Sequence, residues 1–331
     1  MILSGAAYTR VTGMLRTFEI VDQTIVERGY EAGLPDQATL ASATWLDAHD
    51  PSAEEREALA GFLAVELPDG DDVDSIESSA RYFVDAAGIH VHSLFLAQSE
   101  GRHRTQTVAF ILQKERLLSI RGGDLADFRL LRIRARRHQV EAESAASLLA
   151  TLFDQKVENL ADTVEDLHHR LEKVSHLVLE DEEADLEDAI DQLAQLEDSN
   201  GKIRLCLMDT QRSLSFLLGH LPTTSVAAST ARECLHDLET LMSHVAFLFD
   251  KINFLMDSTQ GFINIEQNQI IKIFSIAAVV FLPPTLIASI YGMNFEHMPE
   301  LALTYGYPIA LVAMVLAGIA PYAYFKYKNW L

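Results

Sequence analysis

The fold is decided by the stretch Ile273-Phe-Ser-Ile-Ala-Ala-Val-Val-Phe-Leu-Pro-Pro-Thr-Leu-Ile-Ala-Ser-Ile290, a run of 18 residues without a charge. A second uncharged apolar run covers residues 301–325. Runs of about 18–20 apolar residues are typical of membrane helices, because a helix satisfies its own backbone hydrogen bonds in hydrocarbon. We therefore predict two transmembrane helices, 271–291 and 301–325, joined by a loop over 292–300. A buried hairpin of a soluble domain is disfavoured, since core helices rarely lack charge over this length.

Basic residues predict the orientation of this hairpin. Lys272 precedes the first run, and Lys326 and Lys328 follow the second in a short basic tail, 326–331. The loop between the runs contains Glu296 and Glu300 but no Lys or Arg. Because basic residues mark the cytoplasmic side of a membrane, both termini are predicted inside and the loop outside. The first residues contain no apolar signal segment, so the preceding chain is expected to stay in the cytoplasm.

The composition restricts the possible partners and reactions. The formal net charge is −22, which disfavours nucleic acid because its phosphates would repel the protein. The two cysteines, Cys206 and Cys234, have no metal-ligand spacing and are expected to be inert thiols. The chain contains no phosphate loop, nucleophile elbow or HExxH sequence, so we predict neither an enzyme nor an organic cofactor.

The pattern of helix and strand signals in residues 1–140 predicts a cytoplasmic α+β domain. A helix is expected after Pro51, because Ser52 and Glu55 have the spacing of a capping box. A second helix is expected over 124–137, with Asp124 as its cap. Strands are predicted, from β-rich runs bounded by glycine or turn residues, at 44–49, 89–96, 105–113 and 116–121.

Residues 141–270 predict long helices. The range 141–221 predicts an acidic antiparallel hairpin of two helices, the second covering about 184–218. The range 222–270 predicts a stalk helix that continues into the first membrane run, because no proline interrupts it before Pro283. A heptad stripe on this helix is formed by Leu238, Met242, Val245, Phe249, Ile252 and Met256.

One face of the stalk and first membrane helix is polar at both ends and apolar between them. Such a face usually contacts a partner helix or a water path, and an apolar constriction gates a pore by dewetting. Ordinary helix contact through Ser and Thr is the alternative. Since two helices cannot enclose a pore, the pore interpretation requires an oligomer. The face consists of Asp257, Asn264, Asn268, Ile271, Phe274, Ala278, Leu282, Thr285 and Ser289.

The sequence resembles the CorA family of magnesium channels, in its proteobacterial branch. The resemblance is strongest at 271–274, at Phe281-Leu-Pro-Pro-Thr-Leu-Ile287 and at Tyr291-Gly-Met-Asn-Phe-Glu-His-Met-Pro-Glu-Leu301. Further similarity lies at 75–81, 204–212, 261–268 and 326–331. It implies a homopentameric funnel in a bacterial inner membrane, with the stalk helix lining the pore and the second membrane helix outside it.

The same resemblance implies the function and the site. Hydrated Mg²⁺ is expected to enter through a filter of Gly292, Met293 and Asn294, with Tyr291, Glu296 and Glu300 at the outer mouth. Neutral amide oxygens suit this task, because Mg²⁺ gives up its waters reluctantly. Co²⁺ and Ni²⁺ are further expected substrates, and the membrane potential supplies about 4.6 kcal/mol per 100 mV for a divalent ion. The family also has a basic ring near the inner neck, which Lys326 and Lys328 match in part. Regulation by intracellular Mg²⁺ is assigned to Glu233 and Asp237.

Two alternatives remain at this stage. A ZntB-like zinc transporter shares the architecture, although its loop lacks the Glu296–Leu301 pattern. A two-span membrane sensor or anchored enzyme is the alternative from a different class. The adjacent His168 and His169, like His90 and His92 on one strand face, have no third ligand at metal spacing and are interpreted as surface or core histidines.

Overall fold

We describe a computed structural model of the chain over residues 14–28, 35–63, 81–99, 101–181, 184–294 and 298–328. The chain divides into two compact units, Met1–Leu255 and Met256–Leu331, which are described separately. One helix, Val226–Tyr291, contributes residues to both units.

The first unit is built on a seven-stranded sheet with the order β2-β1-β3-β7-β6-β5-β4. Neighbouring strands are antiparallel except β3 and β7, which are parallel. All four predicted strand regions are confirmed, and β1, β2 and β4 are additional strands. The strands are β1 Met14–Val21, β2 Thr24–Arg28, β3 Trp45–His49, β4 Tyr82–Val84, β5 Ile89–Ser99, β6 Arg102–Leu112 and β7 Leu117–Arg121.

One face of the sheet is covered by two short helices, α1 (Gln37–Ser42) and α2 (Ala53–Leu63). Alternate residues of the central strands point to this face, where they form an apolar cluster with Leu40 and Leu59. The predicted capping box is confirmed, since the Glu55 N–H donates to Ser52 Oγ at 3.2 Å and the Ser52 N–H donates to Glu55 Oε2 at 2.8 Å.

The opposite face contacts α3 (Ala126–Arg136), α4 (Ala145–Glu180) and α5 (Leu186–Leu218). The prediction that Asp124 caps α3 is wrong. Leu125 is the N-cap residue, and Asp124 instead accepts from Arg129 Nη1 at 2.8 Å and from Arg132 Nη2 at 3.4 Å. Two arginine partners on the helix therefore outcompete the helix's own first N–H groups for this carboxylate.

A buried polar network ties α5 to the sheet around Asp209. Its carboxylate accepts from Ser93 Oγ and from the Leu94 N–H, both at 2.7 Å, and from the Tyr82 hydroxyl at 3.1 Å. The fully buried ammonium of Lys156, on α4, donates to Ser93 Oγ at 2.9 Å. Burial lowers the pKa of Lys156, and the charge of Asp209 acts against that shift.

We predict that Asp209→Ala lowers the free energy of unfolding by about 3–5 kcal/mol, because it leaves a buried charge and several donors without their acceptor. A lower midpoint of thermal unfolding of the detergent-solubilised chain would report this loss. Asp198→Ala is the matched control, since Asp198 lies on the same helix and forms an exposed i,i+4 pair with Lys202 at 2.6 Å. Equal midpoints for the two variants would contradict the prediction.

Helix α6 (Val226–Tyr291) is one continuous helix of 66 residues, about 100 Å long. Only part of the predicted heptad stripe is buried within one chain. Leu238, Val245 and Ile252 are buried as expected, but Leu248 and Leu255 occupy the intervening buried positions. Met242 is only half-buried and Phe249 is exposed. Both stripes have heptad spacing, so spacing could not distinguish them.

The second unit contains the rest of α6, a short 3-10 helix (Pro299–Ala302) and α7 (Gly306–Tyr327). Both α6 and α7 contain a window apolar and long enough to cross a membrane. Helix α7 begins at Gly306 rather than at Leu301. A Cβ at Gly306 would lie 2.6 Å from the Glu300 carbonyl oxygen, so only glycine permits this close return of the chain.

Candidate pore-lining surface and loop

Helix α6 contacts α7 through one side of its apolar segment. A Cβ added to Gly318 of α7 would lie 3.4 Å from Pro284 Cγ and 3.5 Å from the Val280 carbonyl oxygen. Pro284 has no N–H, so this carbonyl lacks its helical donor. The absence of a side chain at Gly318 lets the two backbones approach, which allows a weak C–H···O contact to the freed carbonyl.

The candidate pore-lining residues lie on the opposite side of α6. A helix turns by about 100° per residue. Phe274, Ala278, Leu282 and Thr285 are therefore centred roughly half a turn away from the half-buried Val280 and Ile287. Their side chains are not covered within the chain: Phe274 is 71 % exposed and Leu282 is 66 % exposed. Ile271 is exposed to a similar degree. In a membrane, large apolar side chains aligned in this way are covered by lipid or by a partner helix, or they line a narrow path.

The hydroxyl of Thr285 is oriented by the helix itself. It donates to the Phe281 carbonyl oxygen at 2.7 Å. Since its only proton is used in this bond, the remaining lone pairs of Oγ1 act as acceptors. An acceptor without a free proton suits a cation or the hydrogens of its hydration shell.

The polar ends of this surface are also exposed. Ser289 lies in the last turns of α6, whereas Asp257, Asn264 and Asn268 lie before the apolar segment. All four side chains are accessible to solvent in the second unit. The polar-apolar-polar order expected from the sequence is therefore continuous along one helix.

The Gly-Met-Asn segment directly follows the C-terminal end of α6. The Gly292 N–H donates to the Ala288 carbonyl at 2.9 Å, and the Met293 N–H donates to the Ile290 carbonyl at 3.3 Å. These bonds fix Gly292 and Met293 against the last helical turn. Asn294 follows directly and is exposed.

The other outer-mouth residues are placed less completely. Tyr291 ends α6 and is 38 % exposed, and Glu300 is exposed in the 3-10 helix. Glu296 lies outside the described residues. At the other end of α7, Lys326 lies in the last turn and Lys328 follows it, both exposed.

The candidate regulatory residues Glu233 and Asp237 are exposed on the first part of α6. The structure places Asp154 of α4 beside them, since its Oδ1 lies 3.5 Å from Cys234 Sγ. Burial raises the pKa of Asp154, and the charges of Glu158, Asp237 and Glu233 raise it further. Sequence reasoning missed Asp154 and Glu158, because no spacing pattern connects residues about eighty positions apart.

These carboxylates do not form a complete metal site in one chain. Among the residues that the structure describes, no group of three or more His, Cys, Asp and Glu side chains is arranged to hold a metal ion. A cation bound here would need further ligands from water or from another subunit.

Comparisons with known proteins agree with one another. The model of the family described as "CorA-like Mg2+ transporter protein" matches residues 41–327. The "Magnesium transport protein CorA" of Escherichia coli (strain K12) is 45 % identical over 320 residues, which cover 96 % of this chain and 100 % of that protein.

Two solved structures share the fold. The complete CorA magnesium transporter of Methanocaldococcus jannaschii superposes with a TM-score of 0.72 at 19 % identity, covering 97 % of this chain and 99 % of that one. The ZntB cytoplasmic domain of Vibrio parahaemolyticus reaches a TM-score of 0.54 at 11 % identity, over 75 % of this chain and 97 % of that domain. The fold alone therefore does not separate a CorA chain from a ZntB chain.

Proposed function

The chain belongs to the CorA family of Mg²⁺ transporters, and from this premise we propose that it is a membrane channel for Mg²⁺ influx. Co²⁺ and Ni²⁺ are further proposed substrates. Family membership favours transport over a two-span sensor or anchored enzyme. One observation carries the pore assignment: one side of α6 contacts α7, and the opposite side is exposed.

The proposed assembly is a homopentamer in the bacterial inner membrane, with α6 around the axis and α7 outside. This arrangement gives the exposed Phe274 and Leu282 side chains partners in neighbouring subunits. It also places the Gly318 contact on the outer side of each α6. Lys272 and the two lysines at the end of α7 support cytoplasmic termini.

In this assembly the ion first meets the Asn294 side chains. Their amide oxygens bond to the waters of hydrated Mg²⁺ without stripping them, which matters because the dehydration of Mg²⁺ is costly. Glu300 raises the local cation concentration nearby. Thr285 then offers its acceptor lone pairs, and Leu282, Ala278 and Phe274 form the apolar constriction.

The direct experiment is uptake into proteoliposomes containing the purified full chain, with an inside-negative potential. We expect Mg²⁺ influx that increases with the potential and needs no ATP. Parallel arms with Zn²⁺ and with a pH gradient separate this activity from ZntB-like transport. Absence of Mg²⁺ influx, or influx of Zn²⁺ alone driven by protons, would contradict the proposal.

We further propose that intracellular Mg²⁺ closes the channel by binding between subunits at Glu233 and Asp237, with Asp154 and Glu158 close by. The raised pKa of Asp154 supports this proposal, because clustered carboxylates are stabilised by a bound cation.

We predict that the double variant Glu233→Gln/Asp237→Asn weakens inhibition by internal Mg²⁺. The inhibition curve, measured in vesicles loaded with increasing Mg²⁺, should shift to higher concentration. Glu239→Gln, an exposed position on the same helix, is the matched control. An unchanged curve for the double variant would overturn the assignment.

A further inference from the structure

We propose that His168 and His244 form a two-imidazole site for a late first-row divalent transition-metal ion, such as Zn²⁺ or Ni²⁺, at the contact between helices α4 and α6. This site lies in the first unit and is separate from the proposed ion path. Sequence reasoning considered His168 only with its neighbour His169. The structure instead pairs it with a histidine of another helix.

The separation of the two rings fits a shared metal ion. His168 Nδ1 lies 3.0 Å from His244 Nε2. Metal–nitrogen bonds of about 2.0–2.1 Å, at the angles of tetrahedral or octahedral sites, place two ligand nitrogens roughly 2.9–3.4 Å apart. The spacing of the two nitrogens therefore suits one shared ion, and its binding requires each ring to turn so that both lone pairs point to it.

A carboxylate orients one of the rings. Glu172 Oε1 lies 3.5 Å from His168 Nε2, on the side away from His244. An N–H at Nε2 that points to this carboxylate leaves the Nδ1 lone pair directed at His244. Metal-binding histidines have this second contact in most known sites. The Phe247 ring stacks on His168 with an interplanar angle of 24°, which further restricts the ring.

The second ring presents a nitrogen to the first. Burial lowers the pKa of His244, and a charge on His168 would lower it further, which favours the neutral imidazole that a metal binds. When the lone pair of His168 is on Nδ1, the contact between the rings is a hydrogen bond donated by the His244 Nε2–H. Metal binding then moves this proton to His244 Nδ1, a tautomer shift that releases no proton from the neutral pair.

Charge and exposure allow a cation to reach the site. The side chain of His168 is 30 % exposed, and the carboxylates of Glu165 and Glu172 flank His169 beside it. Only two side-chain ligands are offered within the described residues, so water completes the coordination. Imidazole nitrogen favours Zn²⁺ and Ni²⁺, whereas Mg²⁺ prefers oxygen.

The alternative is a hydrogen bond between two neutral histidines with no affinity for metal. Calorimetric titration separates the two, using the untagged full chain in detergent after chelation of metals. Zn²⁺ or Ni²⁺ is added in excess Mg²⁺, which occupies carboxylate sites. We expect one site per chain in the wild type, and its loss in His168→Gln and in His244→Gln.

His169→Gln is the matched control, because His169 is adjacent, more exposed and lies 3.6 Å from the same Glu172. It should bind as the wild type does. Unchanged binding in the His168 and His244 variants, or equal loss in His169→Gln, would overturn the proposal.

A second measurement uses only the wild-type chain and so does not depend on variant folding. Diethyl pyrocarbonate modifies accessible imidazoles, and peptide mass spectrometry locates the products. Zn²⁺ should slow modification of His168 and His244 but not of His169. Equal rates with and without Zn²⁺ at both residues would refute the site.

Discussion

Replacing Asn294 by Ala is expected to reduce Mg²⁺ uptake into proteoliposomes to the level of protein-free vesicles. Asn294 is exposed directly after the bonded end of α6, where each subunit would contribute one amide to the entrance. A hydrogen bond to a charged group is worth about 1.5–3 kcal/mol, which corresponds to a roughly ten- to hundredfold change in binding. Loss of this group from every subunit removes the entry site.

Two further variants test why Asn294→Ala loses Mg²⁺ uptake. Asn294→Asp should bind Mg²⁺ more tightly but conduct it more slowly, because a carboxylate ring slows release. Asn253→Ala, an exposed asparagine in the first unit, should behave as the wild type. Normal uptake by Asn294→Ala, with the protein still correctly assembled by size-exclusion chromatography, would contradict the proposed entrance.

Replacing Leu282 by Asn is expected to raise basal Mg²⁺ influx and to make it insensitive to internal Mg²⁺. Leu282 is 66 % exposed on the side of α6 away from α7, at the proposed constriction. An apolar constriction blocks ions because water leaves it, and a ring of amides would keep it hydrated. The measurement is influx into vesicles loaded with Mg²⁺ at a level that closes the wild type.

Val280→Asn is the matched control for this prediction. Val280 lies two residues before Leu282, is half-buried and lines the groove between α6 and α7, so its substitution does not hydrate the proposed path. Basal leak through Val280→Asn and none through Leu282→Asn would show that the wrong side of α6 was assigned to the constriction.

The sequence alone predicted the long helices and four strands, because each depends on local composition and periodicity. It did not predict which heptad positions of α6 are buried, since the stripe with Met242 and the stripe with Leu248 have equal spacing. That choice depends on the helices that contact α6. For the same reason, Asp124 was expected at a helix cap although two arginines bind it.

Sequence reasoning missed the contacts between residues that are far apart along the chain. Asp154 approaches Cys234, and His168 approaches His244, only because α4 and α6 contact each other in the folded unit. The first membrane helix was predicted to end at residue 291 and the loop to begin at 292, and α6 ends at Tyr291. The role of residues 292–294 as a filter remains a prediction.

The central claim is that the side of α6 opposite α7 lines the ion path, and cysteine accessibility tests it most directly. The native background is low, because Cys206 and Cys234 are both buried. Burial raises the pKa of Cys206 to about 12 and also raises the pKa of Cys234, so both thiols stay protonated and unreactive.

Thr285→Cys and Ile287→Cys are compared in proteoliposomes exposed to a small cationic thiol reagent during Mg²⁺ uptake. Thr285 lies on the proposed path, and Ile287 lies on the side of α6 that faces α7 and is half-buried. We predict that the reagent blocks uptake through Thr285→Cys and leaves Ile287→Cys and the wild type unaffected. Block of Ile287→Cys with full activity of treated Thr285→Cys would contradict the account.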